Sequence, residues 1–409
     1  MKIVHINYSD SEGGAAIAAL RHCEAMRRAG IDSHMLVLNK KRKYPLYVSS
    51  IFKNKRKEKI ETFILVKTAQ LFSKLFQTIA TFSFPFYSIS ISKHPLIQEA
   101  DIIYLHWVAG SMLSTKEIER ILKLGKPVRW YMHDMNPLTG GCHHSFDCIK
   151  YQMKCKKCPL IKKQIPIVDI STYQFKQRIK RWSKYKNLEA YTPSTWLSDC
   201  IKKSSIWKGH NITVFPNVID TDKFHPEDKN SAKKFLNINT SKKTILFGAA
   251  DINNPYKGWG YMREALNQLN PDIYEAIIFG EENSSIKKDL AIETYFTGYL
   301  YDEISLILIY NAADVFVSSS LAENYPNVIM EAMACGTPCV GFNIGGIPDQ
   351  IRHKANGYLA KFKDANDLAN GIKYVCESNS EQYLQMHKNA RDFVCNTASF
   401  DLYKSNFQI

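Results

Sequence analysis

No stretch of this chain is both long enough and apolar enough to be an obvious membrane span. Leu75–Ser92 comes nearest, since it carries no charge and has a suitable length. It also holds Gln77, Thr78, Thr81, four serines and Pro85, where a spanning helix would carry more Leu, Ile and Val. It is expected to be buried in a domain or to lie on a membrane surface. No leader is visible either: Met-Lys-Ile-Val-His-Ile-Asn reads as a short strand, without a long apolar run ending in small residues. Internal repeats and low-complexity tracts are lacking. So is the disorder signature of weak hydrophobicity, because 45% of residues are hydrophobic and 12% aromatic. Acidic residues are scarce, 39 against 54 lysines and arginines, which leaves a net charge of +15.

The excess charge is concentrated in the first half. Lys40–Lys59 holds nine basic residues and one acid, Glu58; Lys150–Lys186 holds twelve against Asp169. Such runs suit an anionic partner, whether a lipid surface, a phosphorylated acceptor or nucleic acid, or else simply keep a surface solvated.

With 409 residues the chain is long enough for two medium domains. KIVHINY, a SEGG turn, an Ala-rich helix and HMLVLN give strand, helix, strand, the rhythm of a parallel sheet. Residues 40–95 break it with a basic loop and an aromatic-rich insertion. It resumes at ADIIYLHW and PVRWYMHD and ends near LEAYTPS. NITVFPNVIDTDKFHP is punctuated by Pro216, Asn217 and Pro226 and reads as a boundary. KTILFGAAD, YEAIIFG, TYFTGYL, DVFVSSS, TPCVGFN and GYLA then supply closely spaced strands between helices. The pattern predicts an α/β chain of two doubly wound, Rossmann-like domains facing a cleft. The expected limits are 1–215 for the first domain, 216–240 for a linker, 241–395 for the second domain, and 396–409 for a tail packing back on the first.

The richest chemistry lies in Ser318–Gly346. An apolar strand ends at small serines, where open α/β sheets place their ligands. A loop carries Glu323, then Asn324, Tyr325 and Pro326 stand at a helix start, Pro326 being suited to the first turn. That helix carries Glu331 and is stopped by Gly336. Helix-start N–H groups bind anions, and two carboxylates accept hydrogen bonds from vicinal hydroxyls. The combination suits a nucleotide sugar better than an ordinary surface helix.

This segment resembles the E-x7-E element of retaining family 4 glycosyltransferases of the GT-B fold. The resemblance implies that Glu323 contacts donor-sugar hydroxyls and Glu331 the ribose, while amides around Asn324, Tyr325, Pro326 and Asn327 meet the sugar or diphosphate. Gly13–Gly14 resembles the family's first glycine-rich loop, VFPNVIDTDKF its inter-domain segment, and Lys257–Gly258 its Lys-Gly element, whose lysine neutralises the diphosphate. The arginine usual a few residues earlier is not evident in FGAADINNPY. His133, closing PVRWYMHD, matches the family's histidine near the reacting sugar; His106 is a weaker candidate. HDM and TGGCH followed by spaced cysteines resemble a subgroup assigned to colanic-acid and capsule polysaccharides.

The remaining cysteine signal is Cys142-x5-Cys148-x6-Cys155-x2-Cys158, with His143 and His144 as alternative ligands. The C-x2-C knuckle among lysines favours a structural zinc, with free thiols and disulfides as the alternatives. Asp220-Thr-Asp222 is not read as a metal site, because it lies in a proline-flanked connection and GT-B chemistry needs no metal for its leaving group. The expected activity is retaining transfer from a UDP- or GDP-sugar to a glycan or lipid-linked acceptor, in bacterial surface-polysaccharide synthesis. No cofactor is needed for catalysis. The expected location is cytoplasmic, peripheral at the inner face of the membrane, with Phe82, Phe84, Phe86 and Tyr87 as apolar anchors. Two other readings stay open, a GT-B nucleotide-sugar epimerase and a basic, zinc-containing nucleic-acid-binding protein. The second lacks repeated fingers, an aromatic RNA platform or a recognition helix.

Overall fold

The computed structural model describes residues 1–84, 86–163, 169–238, 241–249, 254–280, 289–300 and 302–403. The chain divides into two compact units, Met1–Asn217 joined by the chain end from Tyr403, and Val218–Leu402.

The first unit is built on β1 (Lys2–Ser9), β2 (Asp32–Asn39), β3 (Val48–Ser50), β4 (Ile102–Leu105), β5 (Val128–Tyr131), β6 (Leu188–Thr192) and β7 (Ile212–Val214), in the order β3-β2-β1-β4-β5-β6-β7. Every pairing is parallel. Helices cover both faces of such a sheet, so its central strands are buried on both sides. Ile3, Val4 and Ile6 are fully buried accordingly, and so is His5 between them.

The second unit repeats the plan with β8 (Lys243–Ala249), β9 (Tyr274–Gly280), β10 (Glu293–Gly298), β11 (Val315–Ser318), β12 (Cys339–Phe342) and β13 (Gly357–Ala360), ordered β10-β9-β8-β11-β12-β13. Both sheets have the doubly wound order. Each therefore reverses direction at one place, between β1 and β4 and between β8 and β11, and a crevice opens there beyond the strand ends.

Two segments differ from the expectation. Residues 55–76 form a 22-residue helix, Lys55–Phe76, capped by the Asn54 side chain. Its buried positions are only Glu58, Leu65 and Phe76, so the core-facing stripe is too sparse to stand out among the apolar residues on its other side. The expected linker is not a free connection. Ile219 and Phe224 are fully buried with Val394 in the second unit's core, and a helix, Lys229–Phe235, follows. Asp220 is buried, accepts the Asp222 amide at 3.2 Å and lies 3.7 Å from Lys223, so it serves as a turn cap in this segment.

At the chain end, Tyr403 returns to the first unit. Its hydroxyl lies 2.6 Å from His22 Nδ1 and its ring 5.1 Å from that of Phe215.

Candidate functional site

In the second unit the site grows from the ends of β8 and β11. β11 runs out at Ser318, and Ser319, Ser320 and Leu321 turn back over the segment Pro255–Lys257. There the Leu321 amide donates to the Tyr256 carbonyl at 2.7 Å and Ser319 Oγ to the Lys257 carbonyl at 2.8 Å. The approach is close enough that a Cβ on Gly258, at φ 64°, would sit 2.0 Å from the Ser319 oxygen; only glycine meets both demands. Lys257 Nζ thereby reaches Glu323 Oε1 at 2.6 Å, and Ser320 Oγ donates to the same oxygen at 3.2 Å.

The Glu323 backbone is clamped from the other side. Gly346 N–H donates to its carbonyl at 3.2 Å, and a Cβ on Gly345, at φ 58°, would meet that carbonyl at 2.0 Å. Asn324, Tyr325 and Pro326 are buried as they enter the helix Asn327–Ala334. Pro326 is the residue before the first turn rather than within it. It brings no side-chain acceptor to the first-turn amides, and its carbonyl accepts from Gln350 Nε2 at 3.1 Å. Glu331, one turn on, is buried and its Oε2 accepts the Tyr310 hydroxyl at 2.9 Å. The strand ends thus gather a lysine, a partly exposed carboxylate and a helix start, with a second carboxylate buried behind. Residues 250–253, within the segment that lacks an evident family arginine, lie outside the described residues.

In the first unit Gly13 and Gly14 are exposed and begin the helix Gly14–Arg28. Gly13 has φ 84° with open space where a side chain would stand. The first unit also holds a feature of which the sequence signals only part, a chain of three imidazoles. His5 Nδ1 lies 2.8 Å from His106 Nε2, and His106 Nδ1 lies 3.0 Å from His133 Nε2. His5 and His106 are buried and His133 is partly exposed. Burial pushes His5 down to about 3, His106 well below the usual range and His133 down to about 4, the last against the pull of Asp134. All three rings are therefore neutral near pH 7, and each has one donor and one acceptor nitrogen.

The inner end fixes which is which. His5 Nε2 lies 3.3 Å from Met26 Sδ, and a thioether can only accept. His5 Nε2 therefore carries the proton and its Nδ1 accepts from His106 Nε2–H. His106 Nδ1 in turn accepts from His133 Nε2–H. Nδ1 is then the unprotonated nitrogen of His133.

Asp134, next along, accepts Trp107 Nε1–H at 2.9 Å, the Asn136 amide at 2.7 Å and His143 Nδ1 at 2.6 Å. Burial alone would raise its carboxyl, but His143 chiefly holds it down to about 2. His143 Nε2 lies 2.8 Å from Ser83 Oγ, which also accepts the Gly110 amide at 2.9 Å. The trio has the composition of a hydrolytic triad, yet Ser83 and His143 are both buried. It ties the loops around 83, 110 and 134–143 together.

Cys142, Cys148, Cys155 and Cys158 line one small cavity with Thr139, Ser145 and Tyr151 among its walls. Gly140 N–H donates to Cys155 Sγ at 3.2 Å. The hydrogen bond with Cys142 holds Cys158 down to about 7. Among the described residues no group of three or more His, Cys, Asp or Glu is arranged to hold a metal ion.

Residues 228–393 match the family model for glycosyl transferases group 1. The matched segment lies within the second unit. The glycosyltransferase match is accompanied by 27% identity over 208 residues to the UDP-Gal:alpha-D-GlcNAc-diphosphoundecaprenol alpha-1,3-galactosyltransferase of Escherichia coli, covering 48% of this chain and 52% of that protein. A D-inositol 3-phosphate glycosyltransferase of Mycobacterium sp. (strain KMS) is 29% identical over 170 residues, 39% of this chain and 38% of that one. The chain thus spans about half the length, or less, of these curated relatives.

Among solved structures, Anabaena HepE in complex with UDP and glucose superposes with a TM-score of 0.64 at 16% identity, covering 99% of this chain and 98% of that one. A Rickettsia africae glycosyltransferase does so at 0.66 and 13%, covering 99% and 96%. The fold is the two-domain α/β architecture of GT-B glycosyltransferases.

The histidine chain makes a spectroscopic prediction. Long-range ¹⁵N–¹H correlation spectra of the imidazoles at neutral pH should show His133 as the Nε2–H tautomer. In Met26→Leu, which removes the acceptor at the inner end, the signal should move toward a mixture. A pure Nδ1–H form in the wild type would contradict the assignment.

Proposed function

We propose that the protein is a glycosyltransferase that moves a sugar, with retention, from a nucleotide-sugar donor (UDP- or GDP-linked) to a glycan or lipid-linked acceptor in bacterial surface-polysaccharide synthesis. The observation that carries this reading is the Lys257–Glu323 pair, 2.6 Å apart at the strand ends beside a helix start. It is supported by the group 1 family match and by relatives and structural neighbours named for sugar transfer and for complexes with UDP.

The chemistry follows from charge. A diphosphate carries more negative charge than the one carboxylate that holds Lys257 in its absence. Donor binding draws the ammonium across to the phosphates, beside the amides of Asn324 to Asn327 and the helix start. Glu323 Oε1 is then released to accept from the donor-sugar hydroxyls. Glu331, steadied by Tyr310, serves the ribose. Gly13 and Gly14 allow backbone to approach a phosphate or the acceptor with no side chain in the way. In the first unit His133 is the residue that the family resemblance assigns to sugar contact. Preorganised positive charge stabilises the leaving diphosphate, which takes the acceptor's proton as the new bond forms on the same face. No metal and no nucleic acid enter the reaction.

Glu323→Gln keeps the size but removes the charge, so it should lower turnover by about 10²-fold or more, the scale of losing one transition-state contact. Glu331→Ala should mainly raise the KM for the donor. Both should keep the wild-type circular dichroism. Full activity of both variants in a donor-hydrolysis and transfer assay would remove the reading.

The cysteine cluster takes no part in these steps. As placed, its thiols form no ready ligand set, but all four border one cavity and one of them ionises easily. We infer that they close on one structural zinc, pinning the loop after His133. Metal analysis should find about one zinc per chain; a metal-free preparation that is folded and active would refute this.

A further inference from the structure

The helix Lys55–Phe76 presents two unlike faces. Glu58, Leu65 and Phe76 are its buried positions. Glu58 is occupied there, taking the Ser50 hydroxyl at 2.6 Å and the Lys40 amide at 3.3 Å. On the opposite side, at the 3.6-residue spacing of one helical face, stand Ile60, Phe63, Ile64, Leu71 and Leu75. Ile60 is 58% exposed, Phe63 61% and Leu71 64%.

A surface helix of a soluble domain carries polar residues outward; this one carries Ile60, Phe63 and Leu71 there. Past the helix end Phe86, 45% exposed, stacks on the partly buried Phe72 at 3.9 Å between ring centres.

The charges on that side are of one sign. Arg56 and Lys57 stand at the start of the apolar face, and Lys67 and Lys74 lie along it, all exposed. Lys67 reaches back over the Phe63 ring at 5.6 Å, as a lysine does when its stem covers apolar surface and its ammonium seeks a polar boundary. The helix's two acids are engaged elsewhere, Glu58 as described and Glu61 with the Tyr87 hydroxyl. Two copies of such a face would oppose like charges, so a second copy of this chain is a poor occupant. An apolar stripe with basic residues along it fits a surface that is hydrocarbon below and anionic above. No helix among the described residues is long and apolar enough to cross a membrane.

We propose that the outer face of helix Lys55–Phe76 seats the protein in the plane of an anionic lipid surface, with its apolar stripe at the acyl boundary and its lysines among the headgroups. The anchor thus differs from the aromatic segment suggested by the sequence, in which Phe82 and Phe84 are buried. The proposal does not depend on the transferase reading.

Flotation of the full chain tests it, with vesicles of phosphatidylcholine alone and vesicles containing phosphatidylglycerol. Binding is expected to the second only, and to weaken as salt shortens the screening length. Phe63→Ser with Leu71→Ser should reduce it at least tenfold, as should neutralising Lys55, Arg56, Lys57 and Lys59 to Gln. Both variants change exposed residues and should keep the wild-type melting temperature. Failure to float with anionic vesicles, equal flotation with neutral ones, or undiminished flotation of both variants would overturn the proposal. So would a concentration-dependent oligomer that the Phe63/Leu71 variant abolishes, since the face would then be a protein interface.

Discussion

The position of the Glu323 carboxylate rests on two contacts in which backbone meets backbone with no room for a side chain. On one side the Gly258 turn lies against the Ser319 carbonyl; on the other the Gly345 turn lies against the Glu323 carbonyl. Between them the loop after β11 has little freedom, and the lysine that precedes Gly258 is delivered to within 2.6 Å of the carboxylate. An exposed ion pair on flexible stems contributes little. Here the stems are set by the strand ends and the pair is partly shielded, so its value lies in placement more than in stability.

The first unit achieves placement by a different route. His5 sits in the middle of a strand otherwise packed with Ile and Val, where an unsatisfied imidazole would be costly. Its two nitrogens are satisfied by Met26 and His106, and His106 passes the constraint on to His133. The sulfur at the closed end has no proton to give, so the chain has a direction and holds one tautomer rather than conducting a proton. The neighbouring Asp134 is satisfied in its own way, its carboxylate taking contacts from Trp107, Asn136 and His143. Two adjacent residues of the motif HDM thus belong to two separate hydrogen-bond systems.

Much of this was legible in the residues. The alternation of strand and helix predicts both doubly wound sheets, and the serines, Glu323 and Glu331 around one short helix point to the second unit's strand ends. His133 and His106 stand out as histidines closing apolar strands. His5 does not, because a lone histidine within KIVHINY carries no sign that three rings from distant segments will align. The helix Lys55–Phe76 was hidden for a related reason: periodicity reveals a helix when one face is apolar, and here apolar residues occupy both. The boundary segment, rich in Pro and Asp, reads as a linker although Ile219 and Phe224 bury themselves fully in the second core.

The central claim is that Lys257 is held by Glu323 until a diphosphate takes it. Calorimetric titration of UDP and GDP into the wild type and into Lys257→Gln tests this most directly. A hydrogen bond to a charged group is worth about 1.5–3 kcal/mol, so the variant should bind its preferred nucleotide at least about tenfold more weakly while its fold is unchanged. Equal affinity in the two proteins would contradict the account.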